Sequence, residues 1–130
     1  MEPRFLTLDE VLYVHEESLR RYGGMSGVGD VGLIQSALGS AQNAFWYGHG
    51  DLYAIAATYA FHIAEAQAFN DGNKRTGAGS AIMFLLVNGI RFPGDDGSVY
   101  TALIDVAEKK LDKPGLAGVL RKLAEKNIKP

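Results

Sequence analysis

Two stretches, residues 52–66 and 78–87, carry apolar or small side chains on almost every helical face, and a short polar segment separates them. A helix that is apolar all round has to lie in the middle of a protein. Any fold open to this chain must therefore bury the two segments together and turn the chain sharply between them. The first follows Asp51, a residue able to cap a helix. It sets Leu52, Ile55, Ala56, Tyr59, Ala60 and Ile63 on one face and Ala54, Ala57, Phe61 and Ala64 behind, leaving His62 and Glu65 as its few polar side chains. The second is predicted to run from about Asn73 to Asn88. Gly77 to Ala81 are small, which lets another helix backbone come close, and Asn88-Gly89 closes the helix.

The flanking sequence reads as further helices. Thr7-Leu8-Asp9-Glu10 has the form of a capping box. Leu8, Val11, Leu12, His15, Leu19 and Tyr22 then repeat at helical spacing until Gly23-Gly24 ends the run. His15 falls on this apolar stripe and reads as a satisfied core residue. Residues 23–29 hold four glycines and must be loop. Asp30 is a plausible cap for a brief helix through Leu33, Ile34, Ala37 and Leu38. Residues 39–50, with Phe45, Trp46, Tyr47 and His49, show no clear period and are predicted to be an exposed aromatic loop, either a protein-docking flap or a loop folded onto the core by its rings. Two more helices are expected, Ser98 to Leu111 and Pro114 to Lys126, the latter with a solvated basic face. No strand pattern of useful length and no repeat appears. The expected architecture is all-α: a compact bundle of about six helices, with helices three and four central and the polar loop joining them.

The 130 residues predict one domain over 1–130, and 47% hydrophobic with 22% charged residues fits a soluble globular chain. Thirteen basic against fifteen acidic residues leave a net charge of −2, which argues against a nucleic-acid binder. Cysteine is absent, excluding a thiolate nucleophile or a disulfide framework. With no apolar run of signal-peptide or membrane-spanning length, the expected location is the cytoplasm, away from any membrane.

The joining loop, residues 65–77, holds the chemistry. Asn70-Asp71-Gly72-Asn73 is turn sequence. It places Lys74 and Arg75 in the first turn of the next helix, the end at which the helix dipole disfavours cations. Backbone N–H groups, the positive dipole end and two cationic side chains together describe a phosphate site. A Walker A loop is excluded, because Gly72 is followed by Asn73, position 67 is Gln and a helix precedes. A histidine zinc site is excluded too, since histidines at 15, 49 and 62 share no ligand spacing. Asp71 is suited to share a hard cation such as Mg²⁺ with a nucleotide, which makes phosphoryl or nucleotidyl transfer the expected class.

Residues 67–75, Gln-Ala-Phe-Asn-Asp-Gly-Asn-Lys-Arg, resemble the signature His-x-Phe-x-Asp-x-Asn-Lys-Arg of the Fic/Doc superfamily, and the Lys before Arg resembles its death-on-curing (Doc) toxin branch. The likeness extends to residues 5–12, the Arg21-Tyr22-Gly23-Gly24 turn, residues 32–38 and the Asn73 to Gly89 helix. It implies that Phe69 anchors the loop and Asp71 holds Mg²⁺. Gly72 and Asn73 would form an anion hole, and Lys74 and Arg75 would grip the phosphates of ATP. Fic enzymes have Gly where Lys74 stands and transfer AMP. The Doc branch implies a kinase that phosphorylates elongation factor Tu and stops translation. The alternatives are a Fic-type AMP-transferase and a non-catalytic nucleotide- or partner-binding module.

One departure matters. The signature's general-base histidine falls at position 67, where this chain has Gln67. An amide cannot accept a proton at neutral pH. General-base catalysis contributes about 10²–10⁴-fold, so strong impairment is expected. His62 lies more than a helical turn earlier and is not expected to substitute. Such a chain is either a deliberately disarmed form or a naturally inactive member. The Fic inhibitory motif is missing, since Glu-Gly and Glu-Asn never occur. Control by a separate antitoxin with a disordered tail is therefore expected.

Overall fold

The computed structural model describes residues 2–93 and 97–126, so the outermost positions of the expected 1–130 span lie outside the described residues. Among the described residues there are six α-helices: α1 Leu8–Tyr22, α2 Val31–Trp46, α3 Leu52–Ala66, α4 Asn73–Val87, α5 Ser98–Ala107 and α6 Lys113–Lys126. The all-α expectation holds. The one piece of β pairing among them is an isolated antiparallel bridge between Val28 and Phe69.

α3 is the axis of the fold and packs against α2, α4, α5 and α6. Ile55, Ala56, Ala57, Thr58, Tyr59 and Ala60 are all buried, which a helix achieves only when surrounded. α4 lies closest. A Cβ on Gly77 would stand 2.7 Å from the Ala60 carbonyl oxygen, so only a residue without a side chain lets the two backbones meet there. Phe84 of α4 lies 5.1 Å from the Tyr59 ring, and the Tyr59 hydroxyl accepts a hydrogen bond from the Leu6 N–H at 2.9 Å. Burial pushes the Tyr59 phenol up to about 12, so it stays neutral in this bond. Asn88, at the end of α4, accepts from the Arg4 N–H and donates to the Arg4 and Phe84 carbonyls, tying the N-terminal segment to the core.

The starts of α1 and α3 are as the sequence predicts. Thr7 and Glu10 form the reciprocal capping box, and the Asp51 carboxylate accepts from the Ala54 N–H at 2.8 Å. Arg4 donates to Glu10 and holds its carboxyl below the usual range.

Four expectations need correction. α2 is not brief. It runs through Gly39 to Trp46, so most of the predicted aromatic loop is helical. The buried spacing Ile34, Ala37, Ala41 continues to the half-buried Ala44 and Phe45, and a Cβ on Gly39 would meet nothing within 4 Å. Core contact along the whole face outweighs the cost of one helical glycine, about 1 kcal/mol. Phe45 turns inward, whereas Trp46 and Tyr47 are 51% and 83% exposed, so the rings divide between the two readings. On α1 the buried face is Val11, Val14, His15 and Ser18, and Tyr22 is 43% exposed. α5 stops at Ala107, where Lys109 adopts a positive φ of 62° and the Lys110 N–H returns to the Asp105 carbonyl. The basic face of α6 is also not wholly solvated, because Arg121 pairs with Asp51 and lies over the Tyr53 ring.

No helix among the described residues is long and apolar enough to cross a membrane.

Candidate functional site

The loop between α3 and α4 is a tightly bonded turn. α3 ends at Gln67 in the left-handed region, φ 55° and ψ 37°, which throws the chain back across the helix end. Gly72 makes the second bend at φ 77° and leads into α4 without a side-chain cap. α1, α2 and α3 each have such a cap in Thr7, Asp30 and Asp51. Among the described residues, the first-turn N–H groups of α4 thus receive no side-chain carboxylate or hydroxyl at the place where an anion is most favoured.

Three contacts hold the turn from below. Phe69 is buried and stacks on His15, with ring centroids 3.9 Å apart and planes 16° from parallel. His15 Nε2 donates to the Asp71 carbonyl at 2.9 Å, and the tautomer follows from that acceptor. His15 is the satisfied core residue its position predicts, and what satisfies it is the loop itself. Asn73 spans the turn: its Oδ1 accepts from the Phe69 N–H and its Nδ2 donates to the Phe69 carbonyl, both at 3.0 Å.

The glycine-rich segment before α2 ties the turn from the side. The Gly29 and Asp30 N–H groups donate to the Ala68 carbonyl, and the Asn70 N–H donates to the Gly27 carbonyl. The Met25 N–H donates to Asp71 Oδ2 at 3.0 Å and the Gly72 N–H to Asp71 Oδ1 at 2.9 Å. These two bonds, Met25 first, hold the Asp71 carboxyl below the ordinary carboxylate range. It is ionised at neutral pH and exposed, with lone pairs left over.

All six residues singled out in the sequence, Gln67, Asp71, Gly72, Asn73, Lys74 and Arg75, border one cleft of about 390 Å³. Two refinements apply to the anion hole read from the resemblance. The Gly72 N–H is taken by Asp71, and the Asn73 amide faces the loop backbone, with Nδ2 3.4 Å from Gln67 Oε1. The Gln67 amide also donates to the Ala64 carbonyl at 2.9 Å. The groups left to meet an anion are the uncapped N–H groups of α4 and the side chains of Lys74 and Arg75. Among the described residues, neither cation has a carboxylate within ion-pair distance.

Sequence reasoning missed three contributors. Ser18 and Tyr22 reach the cleft from α1, and Tyr100 from α5. Nothing in the local sequence links Tyr100 to the loop; the packing of α5 on α4 brings it there. His62 takes no part. It lies 2.9 Å from Lys113 Nζ, and burial followed by that ammonium lowers its pKa.

Mg²⁺ can be tested against these residues. No group of three or more His, Cys, Asp or Glu gathers among the described residues, so no all-protein cage exists there. One ionised, exposed carboxylate beside a helix start that favours anions fits Mg²⁺, which retains waters and takes further oxygens from phosphate.

The helical frame thus defines a class of protein, one that sets a glycine-turned loop between its two central helices and leads it into a helix start without a side-chain cap among the described residues, with Lys74 and Arg75 in the first turn. The chain belongs to the Fic/DOC family, whose family model matches residues 5–85. It is 31% identical over 121 residues to "Protein kinase doc" of Escherichia phage P1, an alignment covering 92% of this chain and 95% of that protein.

Proposed function

We propose that this chain is a Doc-like toxin of a toxin–antitoxin pair, built as one domain over 1–130 and working in the cytoplasm. It would transfer the γ-phosphate of ATP to a hydroxyl of a translation factor, with elongation factor Tu as the expected target. The observation that carries this reading is the convergence of Asp71, Lys74 and Arg75 on one cleft at an uncapped helix start. The likeness to a protein named as a kinase supports kinase chemistry.

Lys74 and Arg75 would neutralise the phosphates, and the N–H groups at the start of α4 would orient them. Asp71 would hold Mg²⁺, which when bound spreads the charge of the phosphate oxygens. In transfer, the target hydroxyl oxygen bonds to the γ-phosphorus, the bond to the β,γ-bridging oxygen breaks, ADP leaves, and the hydroxyl proton needs an acceptor. Gln67 stands at the position of the family's base. Its amide can orient a hydroxyl but cannot take the proton, so the chain binds nucleotide and transfers slowly. Lys74 weighs against AMP transfer. A non-catalytic binding module is the second reading, favoured by the fixed Gln67 amide.

The test is expression of Gln67→His in a sensitive host, with lysate labelling from γ- or α-labelled ATP. Growth arrest with γ-label on a translation factor is expected. Label from the α position alone would favour AMP transfer, and neither label nor arrest would favour the binding module. A native pull-down should also return a small partner with a disordered tail that acts as antitoxin.

A further inference from the structure

We propose that Tyr100 and Tyr22 form an aromatic clamp that fixes the Arg75 guanidinium for phosphate, making both tyrosines positioning residues of the cleft. The proposal rests on the reading of that cleft as a nucleotide-phosphate site. Arg75 Cζ lies 3.7 Å from the Tyr22 ring centroid and 4.2 Å from that of Tyr100. One ring comes from the last turn of α1 and the other from the first turn of α5, so two separate elements converge on a side chain from the first turn of α4.

An arginine on a helix start is ordinarily mobile, and a ligand must freeze its rotamers before all its donors can act together. A carboxylate partner would fix the guanidinium but would consume its charge and two of its donors. Ring faces attract the cation through the quadrupole while leaving the in-plane N–H donors open. Arg121 shows the other arrangement: it lies over Tyr53 at 4.6 Å but is also paired with Asp51, so its charge is already answered. Among the described residues Arg75 has no carboxylate partner. Among those residues it is held without being neutralised, which lowers the ordering cost of binding an anion.

The test follows Arg75 and nucleotide binding separately, in the full-length chain. The Arg75 Nε–Hε resonance should be ring-shifted and rigid without nucleotide. In Tyr100→Leu it should move toward random-coil values and lose order, and in Tyr100→Phe it should hardly change. By calorimetry, Tyr100→Leu should weaken Mg·ATP binding about 3–30-fold, and Tyr100→Phe less than about 2-fold. In an Arg75→Met background, adding Tyr100→Leu should change binding less than about 2-fold, because the ring acts through Arg75. Tyr22→Leu serves as the second variant if Tyr100→Leu does not fold. An unmoved Arg75 signal, or equal weakening with and without Arg75, overturns the clamp. A parent chain that binds no Mg·ATP while Arg75 remains ring-shifted overturns the phosphate-site reading instead, and with it the clamp's role in binding.

Discussion

Replacing Asn73 with alanine removes the side chain that spans the loop between α3 and α4. Asn73 is 9% exposed, and its amide bonds both the N–H and the carbonyl of Phe69 at 3.0 Å. Each bond is worth about 1 kcal/mol net, rising to about 1–3 kcal/mol for a group left dry and without a partner. The 3.4 Å contact to Gln67 lies at the long end of hydrogen bonding and adds little. Water from the cleft can reach part of the loop, so we expect a loss of about 2–3 kcal/mol. Asn70→Ala is the control. It removes an exposed bond to the Ser26 carbonyl in the same loop and should cost less than about 1 kcal/mol. Urea unfolding followed by helical circular dichroism measures both, and amide exchange at Phe69 reports local opening that the global transition would miss. An Asn73→Ala protein as stable as Asn70→Ala, with Phe69 still protected, would refute this account of the loop.

Two further predictions concern packing and pH. Gly77→Ala gains helix propensity of about 1 kcal/mol but drives a Cβ against the fixed Ala60 carbonyl, an overpacking cost of about 1–3 kcal/mol, so it should lower the melting temperature. Gly39→Ala meets nothing within 4 Å and should raise stability by about 0.5–1 kcal/mol; shifts of the same sign in thermal melts would contradict this pair. His62 has a lowered folded-state pKa, from burial first and Lys113 second, so the unfolded chain takes up its proton earlier as pH falls. Its contribution is therefore present above the ordinary histidine range and lost below it. His62→Gln should flatten stability between neutral and mildly acidic pH, and an unchanged slope in urea titrations at several pH values would sink that assignment.

The central pair of helices was legible because α3 and α4 have almost no polar face, and the loop because glycine, asparagine and cations interrupt them. Capping was legible where a side chain reaches only three residues along, as at Thr7, Asp30 and Asp51. The second half of α2 was not, since alanine and glycine give a weak hydrophobic period and Gly39 looks like a stop. Contacts between distant segments were invisible for a different reason. His15 under Asp71, Met25 on its carboxylate and Tyr100 over Arg75 depend on how helices pack, which no local pattern encodes.

The most direct test of the proposed phosphate site, with Gln67 where a base is expected, is the rate of γ-phosphate transfer, compared between the parent chain and Gln67→His alongside calorimetric Mg·ATP affinity. The account predicts similar affinity and a transfer rate higher by about 10²–10⁴-fold in Gln67→His. Equal transfer rates in the two proteins, or gain of activity only through a large gain in affinity, would contradict it.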